Sequence, residues 1–185
     1  MKIQTKLASI PVNEQKVFGE NTAASIVVIS ATSREVGTIL HSNEEIYYLL
    51  GHSPKDLLGK KVDILMPAQL GAAHDSFIHN YFETTRSKVI NKKTLNFAAS
   101  KSGYLKHVEL LVKVYPQLTD KIVFVGFIQE GHAFENMKPP KQELEKRDCQ
   151  YIMADSQGNI TCVTEGLNIE LGLNSKFFGF GNTIF

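Results

Sequence analysis

The spacing of apolar residues changes along the chain, and each change marks an element. Ser25-Ile26-Val27-Val28-Ile29-Ser30 is a short β-branched run that predicts a buried strand. A turn around Thr32-Ser33-Arg34 leads into Gly37-Thr38-Ile39-Leu40-His41, which predicts its hairpin partner. Ser42-Asn43 offers an N-cap, and Glu44 and Glu45 put negative charge where a helix dipole favours it. A helix is therefore expected over 44–50, closed by Gly51. Ser53-Pro54 opens a further helical turn, and residues 60–66 carry Val62, Leu65 and Met66 on one side before Pro67 stops them. Over 71–86, His74, Phe77, Ile78, Tyr81 and Phe82 recur at helical spacing and form one apolar face that includes the histidine.

After Ser87 the period falls to two. Leu95, Phe97 and Ala99 alternate with Thr94, Asn96 and Ala98, and Lys101-Ser102-Gly103 predicts a tight turn with its glycine at φ > 0. Val108, Leu110, Val112 and Val114 then alternate with His107, Glu109, Leu111 and Lys113. In the last strand of this set, Ile122, Phe124 and Ile128 occupy one face and Val123, Val125 and Phe127 the other. Antiparallel strands usually keep one face wet. Here the second face, Val123, Val125 and Phe127, is expected to be covered by a flanking helix or a partner subunit, and is the candidate interaction face. Strand, strand, short helices, a long helix and three strands predict an α+β fold, a five-stranded antiparallel sheet with its helices on one face.

Downstream, Pro139-Pro140 and the charged run 141–147 read as a linker and short helix, followed by strands at Tyr151-Ile152-Met153-Ala154 and Ile160-Thr161-Cys162-Val163. Gly37 and Gly51 lie 14 residues apart, as do Gly158 and Gly172, each pair bracketing a strand and a helix. That repeat predicts the start of a second copy. The organisation expected is a tail or flanking helix (1–21), a domain (22–131), a linker (132–149) and a truncated second copy (150–185).

Composition narrows the functions open to such a fold. At 43% hydrophobic and 21% charged residues with a net charge of +1, nothing draws the chain to nucleic acid or an anionic membrane. There is no secretory h-region and no apolar run of about 18 residues, so a cytoplasmic setting without a membrane span is expected. Cys149 and Cys162 lack metal or redox spacing. Glycine-loop, H-E-x-x-H and G-x-S-x-G motifs are missing, and His74, Asp75 and Ser76 point apart on a helix, so no enzyme is expected. His52, His79 and His107 are expected at the surface.

Residues 22–131 resemble the PAS family. The resemblance is carried by 24–29, Gly37-Thr38-Ile39, Leu50-Gly51-His52-Ser53, Leu57-Leu58-Gly59-Lys60, Leu65-Met66-Pro67, His74-Asp75-Ser76-Phe77-Ile78, Lys101-Ser102-Gly103 and Phe124-Val125-Gly126-Phe127-Ile128. It implies a sensory or interaction module of a larger signalling protein, contacting itself or another domain of the same chain, with a metabolite- or lipid-sized pocket beside the long helix. No cofactor is the leading expectation. Leu65-Met66-Pro67 with His74 also resembles haem-binding oxygen-sensor PAS domains, which would make His74 the proximal iron ligand, Phe77, Ile78 and Tyr81 the pocket wall, and Lys88 a propionate partner. Asn80 and Thr94 stand at the other two propionate positions, and Lys88 is the one cation of the three. Residues 22–131 contain no cysteine, which disfavours flavin-photosensor chemistry.

Overall fold

The computed structural model describes residues 24–32, 34–116, 122–131 and 149–170. The expected tail, the Pro139-Pro140 linker with its charged helix, and Gly172 of the repeat lie outside the described residues.

The elements run β1 (Ser25–Ser30), β2 (Ile39–Ser42), α1 (Glu45–Leu50), α2 (Pro54–Leu57), a 3-10 helix (Val62–Leu65), α3 (Ala68–Thr84), β3 (Lys93–Ala99), β4 (Leu105–Pro116) and β5 (Ile122–Glu130). The strands form one antiparallel sheet in the order β2-β1-β5-β4-β3. β1 sits between β2 and β5 with every residue buried, which is why its sequence is an unbroken β-branched run. Val27, Ile29 and Phe124 on the inner face pack with Ile46, Leu50, Leu57, Leu65 and Ile78 from the helices.

The outer face is apolar too. Ile26, Val28, Leu111, Val123, Val125 and Phe127 form a second cluster there. Val123, Val125 and Phe127 are 4%, 2% and 0% exposed within the single chain. Every residue of this cluster belongs to or adjoins the sheet, so the reading of Val123, Val125 and Phe127 as an interaction face stays an expectation.

Local chemistry explains where the elements begin and end. Gly51 closes α1 at φ 78, and Gly103 turns β3 into β4 at φ 85, both as expected. Ser53 caps α2, its hydroxyl accepting from the Asp56 backbone N–H at 3.3 Å. Asn43 does not cap α1. Its side chain instead accepts from Ile26 N–H at 2.8 Å and donates to the Ala24 carbonyl at 2.9 Å, pinning the end of β2 to β1. β2 also begins at Ile39 instead of Gly37, because Gly37 at φ 73 is still part of the turn.

α3 starts at Ala68 instead of 71, since Pro67 fixes the entry and Ala68-Gln69-Leu70 continue the helix before the apolar face begins. It ends at Thr84, and Thr85 follows in the left-handed region at φ 55, a conformation disfavoured for a β-branched residue. Thr85→Asn is accordingly expected to stabilise the fold by about 1 kcal/mol, read as a rise of a few degrees in Tm. An unchanged or lower Tm would show that the threonine carries no strain.

Downstream, β6 (Ile152–Ala154) and β7 (Ile160–Val163) form a separate two-stranded sheet followed by α4 (Glu165–Glu170). This hairpin rests on the first domain. The Tyr151 ring packs edge-on against Phe97 at 5.1 Å and stacks on His107 at 5.2 Å. Cys162 Sγ donates to the Gly103 carbonyl at 3.2 Å, Asn168 Nδ2 donates to the Tyr104 hydroxyl at 3.1 Å, and Gln69 Nε2 donates to Thr161 Oγ1.

Candidate functional site

Between α3 and the inner face of the sheet lies a pocket of about 270 Å3. Leu70, His74, Phe77, Ile78 and Tyr81 contribute its α3 wall, and Val27, Ile29, Val108, Leu110, Val112 and Phe124 its sheet wall. Four of the five expected site residues, His74, Phe77, Ile78 and Tyr81, therefore line one cavity. Lys88 does not: it is exposed, while its neighbours Ser87 and Val89 contribute to the wall. Phe77 is 57% exposed, so the pocket reaches the surface beside it.

Gly126 was not singled out by its sequence pattern, yet it forms part of the sheet wall. It faces Val27 and Val112 across its neighbours, in a strand otherwise filled by large apolar residues. A glycine inside such a strand is itself a signal of space left open. A side chain added there meets only ordinary contacts, with Val27 O at 3.7 Å and Leu110 Cδ1 at 3.8 Å.

The polar side chains on the wall are His74, Tyr81, Ser87 and Asn96, and no described wall residue is acidic or cationic. Asn96 Nδ2 donates to Thr94 Oγ1 at 2.8 Å, and Ser87 Oγ accepts the Val89 and Ile90 backbone N–H groups at 3.1 and 3.2 Å. The Asn96 carbonyl oxygen and the Ser87 hydroxyl proton remain to serve a ligand. Burial holds the His74 pKa below the usual imidazole value against the opposing pull of Asp63 and Asp75. In that neutral state Nδ1 stands 3.7 Å from Asp63 Oδ1, beyond hydrogen-bond reach, and both atoms are buried without a partner.

Haem does not fit these residues. The cavity is smaller than the roughly 300–1,000 Å3 that drug-sized ligands occupy, and a tetrapyrrole is larger still. Lys88 and Asn80 are exposed and absent from the wall, and the Thr94 hydroxyl is turned to the Leu110 carbonyl at 3.4 Å. Asp63, His74 and Asp75 also bring metal-type donors within 4.8 Å of one another. The Lys61 ammonium, 2.7 Å from Asp75 Oδ2, already supplies that cluster with a positive charge.

No family model matches the chain. A probable serine/threonine-protein kinase of Dictyostelium discoideum is 29% identical over 98 residues, which are 53% of this chain and 6% of the kinase's own length. The PAS domain of a protein from Colwellia psychrerythraea is 16% identical with a TM-score of 0.46, covering 58% of this chain and 85% of that one. The PAS domain of an HTR-like protein from Haloarcula marismortui is 17% identical with a TM-score of 0.44, covering 64% and 94%. The RpfR quorum-sensing receptor PAS domain of Cronobacter turicensis, solved in complex with BDSF, is 14% identical with a TM-score of 0.42, covering 58% and 94%. The five antiparallel strands, with every helix between β2 and β3 packed on one face, are the architecture that the sequence resemblance implies. The fold is PAS-like.

Other side chains of this PAS-like unit depart from expectation. His52 is 5% exposed, not at the surface. Gly51 turns the chain inward, and the Lys101 N–H donates to the Leu50 carbonyl at 2.8 Å, pinning the β3–β4 turn beside it. Burial lowers the His52 pKa, helped by Lys101 and Lys60. His107 is half-buried under Tyr151, and His79 lies at the surface as expected, 3.0 Å from Glu83. Among the described residues no helix is long and apolar enough to cross a membrane.

Two histidines with depressed folded pKa values make stability depend on pH. Above the ordinary imidazole value of 6.5 both states are neutral and the full stability is present. As pH falls below it, the unfolded chain takes up protons that buried His52 and His74 resist, so stability is lost. The urea midpoint is expected to drop from about pH 7 to about pH 5, and His52→Gln to flatten that slope. A midpoint that stays constant would contradict the burial of both rings.

Proposed function

We propose that this chain contains a PAS-type sensory module whose signal is a small molecule held between α3 and the sheet. The observation that carries the reading is the pocket itself, about 270 Å3 of largely apolar space with a few neutral polar groups on its wall. An apolar cavity with sparse, convergent polar groups is the usual form of a small-molecule site. Gly126 supports the same reading, since it lines the pocket and a Cβ added there would meet only ordinary contacts. The module would act inside a larger signalling protein, and the similarity to a short part of a Dictyostelium discoideum kinase suits that arrangement. Residues 150–170, with their strand–strand–helix order, would be the opening of a second unit that receives the signal.

Xenon is the direct probe of the site. Crystals of the chain under xenon pressure should show the gas in the pocket, and Gly126→Val should exclude it while leaving Tm unchanged or raised. Native mass spectrometry of the wild type purified from its own cells should show a retained compound that Gly126→Val lacks. Xenon exclusion together with a ligand-free mass would sink the reading.

A further inference from the structure

The pocket also specifies what kind of molecule it takes, an inference that rests on the sensory reading above. We propose that the ligand is an uncharged, mainly apolar compound of about ten heavy atoms, on the scale of a fused bicycle. It would carry a hydroxyl, carbonyl or N–H group that meets Asn96 and Ser87.

Size sets the first limit. A dry cavity of about 150 Å3 accommodates benzene, and drug-sized ligands need upwards of about 300 Å3. At about 270 Å3 this pocket lies between them, too small for a long acyl chain lying full length. Charge sets the second. A carboxylate, phosphate or ammonium placed here would leave water and meet no counter-charge among the described wall residues, a costly transfer. Lys61, next in sequence to Val62 of the wall, is bound to Asp75 and the Val36 carbonyl instead. Lys88 faces solvent.

Polar chemistry sets the third limit. Asn96 and Ser87 each have part of their hydrogen-bonding capacity occupied inside the protein. What remains includes one acceptor, the Asn96 amide oxygen, and one donor, the Ser87 hydroxyl, beside the Tyr81 hydroxyl and the unpartnered His74 Nδ1 of the same wall. A purely hydrocarbon ligand would leave both unmet, which costs affinity.

Indole and indene make a matched pair of probes, nearly equal in shape and differing by one N–H. Isothermal titration calorimetry on the full chain should show indole binding, indene binding about tenfold more weakly, and indole-3-carboxylate weaker than indole by about tenfold or more. Asn96→Leu should erase the preference for indole over indene while keeping indene bound, a pattern that general unfolding would not produce. Gly126→Val should reject all three.

The failures are separable. If indole-3-carboxylate or decanoate binds as tightly as indole, or if xenon enters but neither neutral probe binds, the ligand class is overturned and the pocket stands. If Asn96→Leu leaves the indole preference intact, the assigned polar contact is wrong. If xenon and every probe are excluded from the wild type, the sensory reading fails with it.

Discussion

Phe127→Ala is expected to cost about 3–5 kcal/mol of stability, enough to unfold a marginal domain near physiological temperature. Phe127 is 0% exposed and sits in the outer-face cluster with Val28 and Val125, its ring 5.9 Å from the Lys113 ammonium. Truncation removes the apolar burial and leaves a void that strands paired on both sides cannot collapse to fill. Urea unfolding should show the midpoint falling steeply, with no dependence on protein concentration. The alternative, a residue held in reserve for a partner subunit, makes a different forecast: unchanged stability in dilute solution and a loss of self-association. That second pattern would overturn the reading of Phe127 as a core residue of the single chain.

Gly71→Val is expected to cost about 2–3 kcal/mol and to disturb the pocket as well. Gly71 is buried in the first turns of α3, and a Cβ added there would come within 3.1 Å of Asp63 Cβ and 3.4 Å of the Asp63 carbonyl oxygen. Both belong to the 3-10 helix that packs against α3. Asp63 Cβ is tied to its backbone and cannot swing aside as a flexible side-chain tip can, so the 3-10 helix and α3 must part by a few tenths of an ångström. His74 follows Gly71 by less than one turn, which means its spacing from Asp63 shifts too. The expected signature is a lowered Tm together with a changed His74 titration by NMR. A Tm as high as the wild type's, with the same His74 titration, would mean the two helices have slack that the present spacing does not show.

How much of this could be read from residues alone depended on how local the cause was. β1 was legible to the residue because its boundaries are set by its own β-branched run, and Gly51 and Gly103 because left-handed turns select glycine locally. The α3 wall was legible because helical spacing aligns His74, Ile78 and Tyr81 on one face. Lys88 was not legible because it lies in a loop between the wall residues Ser87 and Val89, where no repeating period separates inward from outward positions. His52 looked like a loop histidine, and only the long-range bond from Lys101 to Leu50 reveals the enclosure around it. The Tyr151 stack on Phe97 and His107 joins residues far apart in sequence, so no local pattern could announce it.

The docked hairpin has a mechanical meaning. Thr161 and Cys162 are consecutive residues, so their Cα atoms stand a fixed distance of about 3.8 Å apart. One bonds Gln69 at the start of α3, and the other bonds Gly103 at the tip of the β3–β4 turn. Leu70, next to Gln69, lines the pocket. The hairpin thus acts as a caliper, its two jaws closed on the helix and on the strands. If the gap between them widens appreciably, one jaw has to let go.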